Sequence, residues 1–393
     1  MVKKEAERRK RISKRMRIGI FGGSFDPVHA EHVNVAKGAV KSLKLNKLFV
    51  MPAFAPPHKK DKVLSSDQDR LAMCRLAFSN VKNTEVSDYE IARGGTSYTY
   101  LTCKDFHEKY PNAQLFFLVG TDMLRDFPTW KNPDEILSYA TLAVCARDEE
   151  KGWLKKEKES FRARFGKDFQ TIEYEGEAVS STMLRALAAA GEDLLSYTPN
   201  AVETYIREKG LYEIPFAKEA LAREKNRRRA HSVRVALTAV SRASALKIPE
   251  RKALTAALFH DCAKNIPADS PLLDGFAAPL GVSDSVWHQY AGAYLAEKRY
   301  GVADEDVLNA IRYHTSGRPN MSALEKLIFL ADMVEPSRDY DVVEKLRKLF
   351  YEDGTLDRCM ETALKETLLH LEKKGSPVYG LTRAAYEFYK TEK

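Results

Sequence analysis

Between residues 17 and 213 short apolar runs alternate with stretches of helical periodicity, and after Ile214-Pro215 the strand signal stops. That break limits the chain to an α/β region followed by an all-α region. The runs 17–21, 47–51, 114–119 and 141–145 are short, apolar and separated by helical patterns. Repeated strand–helix–strand succession predicts a doubly wound parallel sheet, Rossmann-like, with ligands at the carboxyl ends of its strands. The turn after Phe21, the segment 52–60 and residues 120–122 all fall at such ends.

At 393 residues the chain exceeds one ordinary core, and a hydrophobic content of 44% supports two. The expected organisation is a basic arm over 1–16, a first domain over 17–213, a linker over 214–225 and a helical domain over 226–393. The 63 Lys and Arg against 55 Asp and Glu suggest a nucleic-acid partner until the charges are located. Nine basic side chains and only Glu5 and Glu7 lie between Val2 and Arg17, so this segment carries +7 of the net +8. The remainder is nearly neutral. Specific nucleic-acid binding is therefore not expected, and weak RNA contact is left to the arm alone. The arm lacks the apolar stretch of a secretory signal, and no run approaches the roughly 20 residues of a membrane helix. Five scattered cysteines without a CxxC pair fit reduced thiols in a cytoplasm.

The chemistry of the first region concentrates between Phe21 and His32. Gly22 and Gly23 let backbone N–H groups approach an anion, and a helix starting near His29 would aim its positive end at the same place. His29 and His32, three apart, would share a helix face. Downstream, Ser180, Ser181 and Thr182 place three hydroxyls at a helix start, with Arg185 a turn later. Each element alone is equally compatible with capping and packing; together they suit a phosphate chain.

Gly22-Gly23-Ser24-Phe25-Asp26-Pro27-Val28-His29 resembles the ATP loop of the nucleotidyltransferase superfamily, and Ser180-Ser181-Thr182-Met183-Leu184-Arg185 resembles its second ATP motif. Pro56-Pro57-His58-Lys59, Ser97-Tyr98-Thr99, Gly120-Thr121-Asp122 and Phe127-Pro128-Thr129-Trp130, in that order, resemble the bacterial nicotinate-mononucleotide adenylyltransferases. The resemblance implies transfer of AMP from Mg²⁺-bound ATP to nicotinate mononucleotide, a step of NAD biosynthesis. It assigns ATP to Gly22, Gly23, Ser24, Phe25, His29, His32, Arg147, Ser180, Ser181, Thr182 and Arg185, with His29, His32 and Arg185 acting on the reacting phosphates. It assigns the mononucleotide to Lys59, Thr99, Asp122 and Trp130, whose indole would stack on the pyridine ring. One position departs from the family's His-x-Gly-His: the chain reads His29-Ala30-Glu31-His32. Glu31 is expected to point to solvent from the first helical turn, where the dipole favours its charge.

The helical region carries His231, His260, Asp261, His288, His314 and Asp332, each on or beside an apolar helical stretch. Imidazoles with carboxylates suit Fe, Mn or Zn rather than Ca²⁺, and six ligands exceed what one tetrahedral ion needs. Any one histidine alone would more simply be a packed core residue; the adjacent His260-Asp261 makes the set cohere. His260-Asp261-Cys262-Ala263-Lys264, Tyr313-His314-Thr315, Gly317-Arg318-Pro319 and Ala331-Asp332-Met333-Val334-Glu335-Pro336 resemble the HD phosphohydrolase superfamily, in the branch that cleaves diadenosine tetraphosphate symmetrically. That resemblance implies two ions, iron first among them, hydrolysis to two ADP, and phosphate contacts from Lys264, Arg318 and Arg338, Lys264 also serving the reaction. Another nucleotide, such as a guanosine polyphosphate, or a sensing or RNA-associated module remains an alternative on the residues alone.

Overall fold

The apolar runs assemble into one sheet. In the computed structural model, which describes residues 15–56, 64–146, 151–176 and 178–390, the strands are β1 (Arg17–Gly23), β2 (Lys47–Pro52), β3 (Thr84–Val86), β4 (Gln114–Gly120), β5 (Ala140–Cys145) and β6 (Gln170–Ile172). Lys59, Arg147 and residues 1–14 of the basic arm lie outside the described residues. The strands pair in the order β3-β2-β1-β4-β5-β6, every pairing parallel. Winding reverses between β1 and β4, so their carboxyl ends open the crevice where such sheets bind ligands. The expected strands are those with long apolar runs; Ile18, Ile20, Leu142 and Val144 are fully buried. β3 and β6 add short edges of mixed polarity, three residues each, too brief to show a period in the sequence.

By packing, the described residues up to Ser181 with Leu194–Leu211 form one unit, and Thr182–Asp193 with Tyr212 onward form the other. Among the described residues no strand follows β6. In the second unit the apolar stretches lie in the helices Asn226–Ala243, Glu250–Phe259, Asp284–Lys298, Glu305–Arg312 and Ala323–Val334. Fully buried Ala236, Ala239, Ala253, Ala256 and Ala257 let the first two of these approach closely, which is the structural use of the alanine-rich pattern. The segment 214–225, expected as a linker, has secondary structure of its own. It contains the helix Ala217–Ala222, which buries Ala217, Ala220 and Leu221 and packs on Glu250–Phe259. Those residues recur at helical spacing but are interleaved with charges, which hid the apolar stripe.

The five cysteines are free and buried. No helix among the described residues is long and apolar enough to cross a membrane.

Candidate functional site

The glycine-rich turn ends at His29, which caps the helix Ala30–Ser42 in an extended conformation. Its backbone N–H donates to Nδ1 of His32 at 3.2 Å, and the two rings lie 3.7 Å apart, centre to centre. Nδ1 of His29 is buried without a hydrogen-bond partner, and burial lowers its pKa from 6.5 to about 4, so the ring is neutral at pH 7. Phe25 packs edge-on against His32.

The turn is tied down at three of its carbonyls and at the Asp26 side chain. Arg70 donates to the Ser24 carbonyl at 3.0 Å, Ser181 Oγ to that of Pro27 at 2.8 Å, and Thr198 Oγ1 to that of Val28 at 2.9 Å. The Ser65 N–H donates to Asp26 at 3.1 Å. Arg70, fully buried, also holds the Ser65 carbonyl and pairs with Asp67. Such bracing fixes the loop before any ligand arrives. Nothing in the sequence marks Arg70 as buried, since an arginine in an amphipathic helix normally lies on the solvent face.

Glu31 does not point to solvent, as expected from its place in the first turn. It is 9% exposed, and its carboxylate accepts a hydrogen bond from the Tyr174 hydroxyl at 2.9 Å. Gly38 makes that approach possible: a Cβ there would lie 2.6 Å from Tyr174 Cβ and 2.7 Å from the Glu173 carbonyl oxygen. The carboxylate is drawn sideways onto the segment after β6.

Ser181 and Thr182 are likewise engaged inside the protein, Ser181 with Pro27 and Thr182 as acceptor for Arg185 at 3.0 Å. Ser180 is exposed at the helix start. Arg185, expected at the phosphates, makes a bidentate pair with Glu250 at 2.6 and 2.7 Å within the second unit. On the other side of the crevice, the Ser97 N–H bonds the Ala55 carbonyl at 3.0 Å and Ser97 Oγ accepts from the Phe54 N–H at 3.0 Å. These bonds bring the segment before Lys59 beside Thr99, which opens the helix Thr99–Lys109. Asp122 lies exposed in the first turn of the helix after β4. Trp130 is half-buried against Phe127 and Phe117.

In the helical unit the six singled-out side chains converge. His231, His260 and Asp332 form one set of facing ligand atoms, and His260, Asp261 and His314 a second, with His260 common to both. His288 Nε2 joins them, 3.2 Å from His314 Nε2 and 3.3 Å from Asp261 Oδ1. Nδ1 of His260 lies 2.6 Å from the Ala257 carbonyl and Nδ1 of His314 lies 2.8 Å from that of Ile311. A carbonyl accepts only from an N–H, so Nδ1 is the protonated nitrogen of each ring, and in the neutral ring Nε2 is the nitrogen free to ligate. His260 is fully buried, and its Nε2 has no hydrogen-bond partner among the described residues. An orphaned acceptor amid imidazoles and carboxylates fits a divalent ion, which the HD-type donor set implies.

Outer partners orient this set. Glu335 accepts from Arg234 at 2.8 Å and lies 3.0 Å from His231 Nδ1; Arg228 pairs with Asp261 at 2.6 Å, and Arg338 with Asp332. Gln289, fully buried, accepts from the Thr315 and Ser316 N–H groups and so holds the turn after His314. Lys264 Nζ sits 3.0 Å from His288 Nε2. Arg318, expected at the phosphates, pairs here with the buried Glu325 at 2.7 Å, within the cap of the helix Ala323–Val334. Glu335 lies in the segment Ala331–Pro336, and its partner His231 lies 104 residues away.

Residues 20–187 match the Cytidylyltransferase-like family and residues 228–337 the HD domain family. The chain is 32% identical, over 82% of its length and 89% of the relative's, to a Mycoplasma genitalium protein named as a probable nicotinate-nucleotide adenylyltransferase/Ap4A hydrolase. It is 35% identical, over 49% of its length and 97% of the relative's, to a probable nicotinate-nucleotide adenylyltransferase of Clostridium tetani. Among solved structures, a Clostridium acetobutylicum protein described as a predicted HD superfamily hydrolase involved in NAD metabolism is 35% identical over 44% of this chain and 94% of its own, with a TM-score of 0.41.

Proposed function

The chain belongs to the family of its mycoplasmal relatives, named as probable nicotinate-nucleotide adenylyltransferase/Ap4A hydrolases, and from that membership and its own HD domain match we propose that it runs two reactions at two centres. At the first, a phosphate oxygen of nicotinate mononucleotide attacks the α-phosphorus of ATP in line, and pyrophosphate leaves with Mg²⁺. The enzyme's task is alignment of two mutually repelling anions and stabilisation of developing charge. The braced turn, with His29 and His32 side by side, supports this reading. A neutral His29 next to bound phosphates would gain a proton or donate from one ring nitrogen, in either case meeting the oxygen with an N–H.

At the second centre, we propose that diadenosine tetraphosphate is hydrolysed to two ADP. The observation that carries it is the unpartnered His260 Nε2 at the junction of the two ligand sets. His231, His260, Asp261, His288, His314 and Asp332 would hold the metal, which when bound supplies Lewis acidity and a water of lowered pKa. Lys264 and Arg338 bring positive charge to the same place, suited to orienting the phosphate chain. A cytoplasmic location would suit both substrates.

Incubation of the purified protein with ATP, Mg²⁺ and nicotinate mononucleotide should yield nicotinate adenine dinucleotide and pyrophosphate. Incubation with diadenosine tetraphosphate and Fe or Mn should yield ADP alone. Absence of the dinucleotide would overturn the first assignment. ATP plus AMP, or no cleavage while a guanosine polyphosphate is consumed, would overturn the second.

A further inference from the structure

The ligand cluster is open on two sides, and the two openings differ in chemistry. His314 and Asp332 face a cavity of about 520 Å³ that also contains Phe329, Met333 and Tyr340. His231 faces one of about 450 Å³ bounded by Lys225, Arg227, Arg228, Arg234 and Arg338 against a single carboxylate, Glu335. Arg227 and Arg338 border both. The first cavity offers Phe329, Met333 and Tyr340 to a nucleoside beside charged groups that include Asp339; the second is lined chiefly by cations.

Three of the cations in the second cavity are already spoken for, Arg228 by Asp261, Arg234 by Glu335 and Arg338 by Asp332. Lys225 and Arg227 are exposed and have no ion-pair partner among the described residues. They also stand at the start of the helix Asn226–Ala243, whose first turn contains no acidic residue. Cations at a helix N-terminus oppose the helix dipole, so this placement is unfavourable until an anion joins it.

Resting on the hydrolase reading above, we propose that Lys225 and Arg227 seat the phosphates of the substrate half beyond the scissile bond. The two-ended dinucleoside polyphosphate is thereby selected over a one-ended nucleotide. One half would occupy the cavity lined by Phe329, Met333 and Tyr340, the phosphate chain would cross the His/Asp cluster, and the other half's phosphates would lie in the cationic cavity. Lys225 and Arg227 are on this account specificity residues rather than catalytic ones.

The test is binding, by calorimetry, of a methylene-bridged, non-hydrolysable diadenosine tetraphosphate and of ADP to the full chain and its Lys225→Gln/Arg227→Gln variant. The analogue should bind about 10- to 100-fold more weakly to the variant, as expected for two lost charge-assisted contacts. The tighter ADP site should change less than about threefold, because one half suffices to fill the aromatic cavity. Metal content and adenylyl transfer serve as folding controls. Unchanged analogue affinity, or an equal loss for ADP, would overturn the proposal. If the wild-type protein neither binds the analogue nor cleaves the tetraphosphate, the hydrolase reading itself is at fault.

Discussion

Asp261→Ala is expected to lower diadenosine tetraphosphate hydrolysis by at least about 10³-fold, about 4 kcal/mol in the barrier, while adenylyl transfer keeps its wild-type rate. Asp261 is the carboxylate on which the cluster closes: Oδ1 lies 3.3 Å from His288 Nε2 and 3.4 Å from His314 Nε2, and Oδ2 accepts from Arg228. Burial disfavours its charge, yet His260, His314 and His288 around it hold the carboxyl well below the usual range, so it is ionised and ready to ligate. Alanine would remove a ligand and leave Arg228 facing the histidines. Asp261→Asn keeps the shape and the contact with Arg228 while losing the charge; it separates a lost metal from a lost fold. Both variants should show reduced metal by elemental analysis. Full metal content with full hydrolysis would contradict the assigned cluster.

His32→Ala should reduce adenylyl transfer by about 10² to 10³-fold and leave both mononucleotide affinity and tetraphosphate hydrolysis near wild type. Its ring caps the His29 N–H and lies beside the His29 ring, so the substitution removes the proposed phosphate donor and loosens its neighbour together. Steady-state kinetics with each substrate varied in turn, beside a thermal melt of the same preparation, distinguishes the two effects. A variant that retains its melting temperature and its transfer rate would remove His32 from the reaction.

The long strands were legible because Ile18, Ile20, Leu142 and Val144 sit in runs apolar enough for a doubly buried sheet. β3 and β6 were not, since three residues establish no period. In the helical unit, local pattern singled out the six side chains that the structure brings together, because each metal-type residue abuts an apolar helix. What local pattern could not show were pairings set by tertiary contact. Tyr174 meets Glu31 across 143 positions, and Glu335 meets His231 across 104. The same limit applies to the ion pairs of Arg318 with Glu325 and of Arg185 with Glu250. An arginine's sequence neighbours do not reveal which carboxylate will claim it.

On the proposed function one chain holds two chemically independent centres, one served by Mg²⁺-ATP and one by a transition metal held by the His/Asp cluster. The most direct test is to treat the wild-type protein with a transition-metal chelator under excess Mg²⁺ and follow both reactions in the same sample. Tetraphosphate hydrolysis should fall to background and return on addition of Fe or Mn, with adenylyl transfer unchanged throughout. Loss of both activities, or hydrolysis that survives complete removal of the metal, would contradict it.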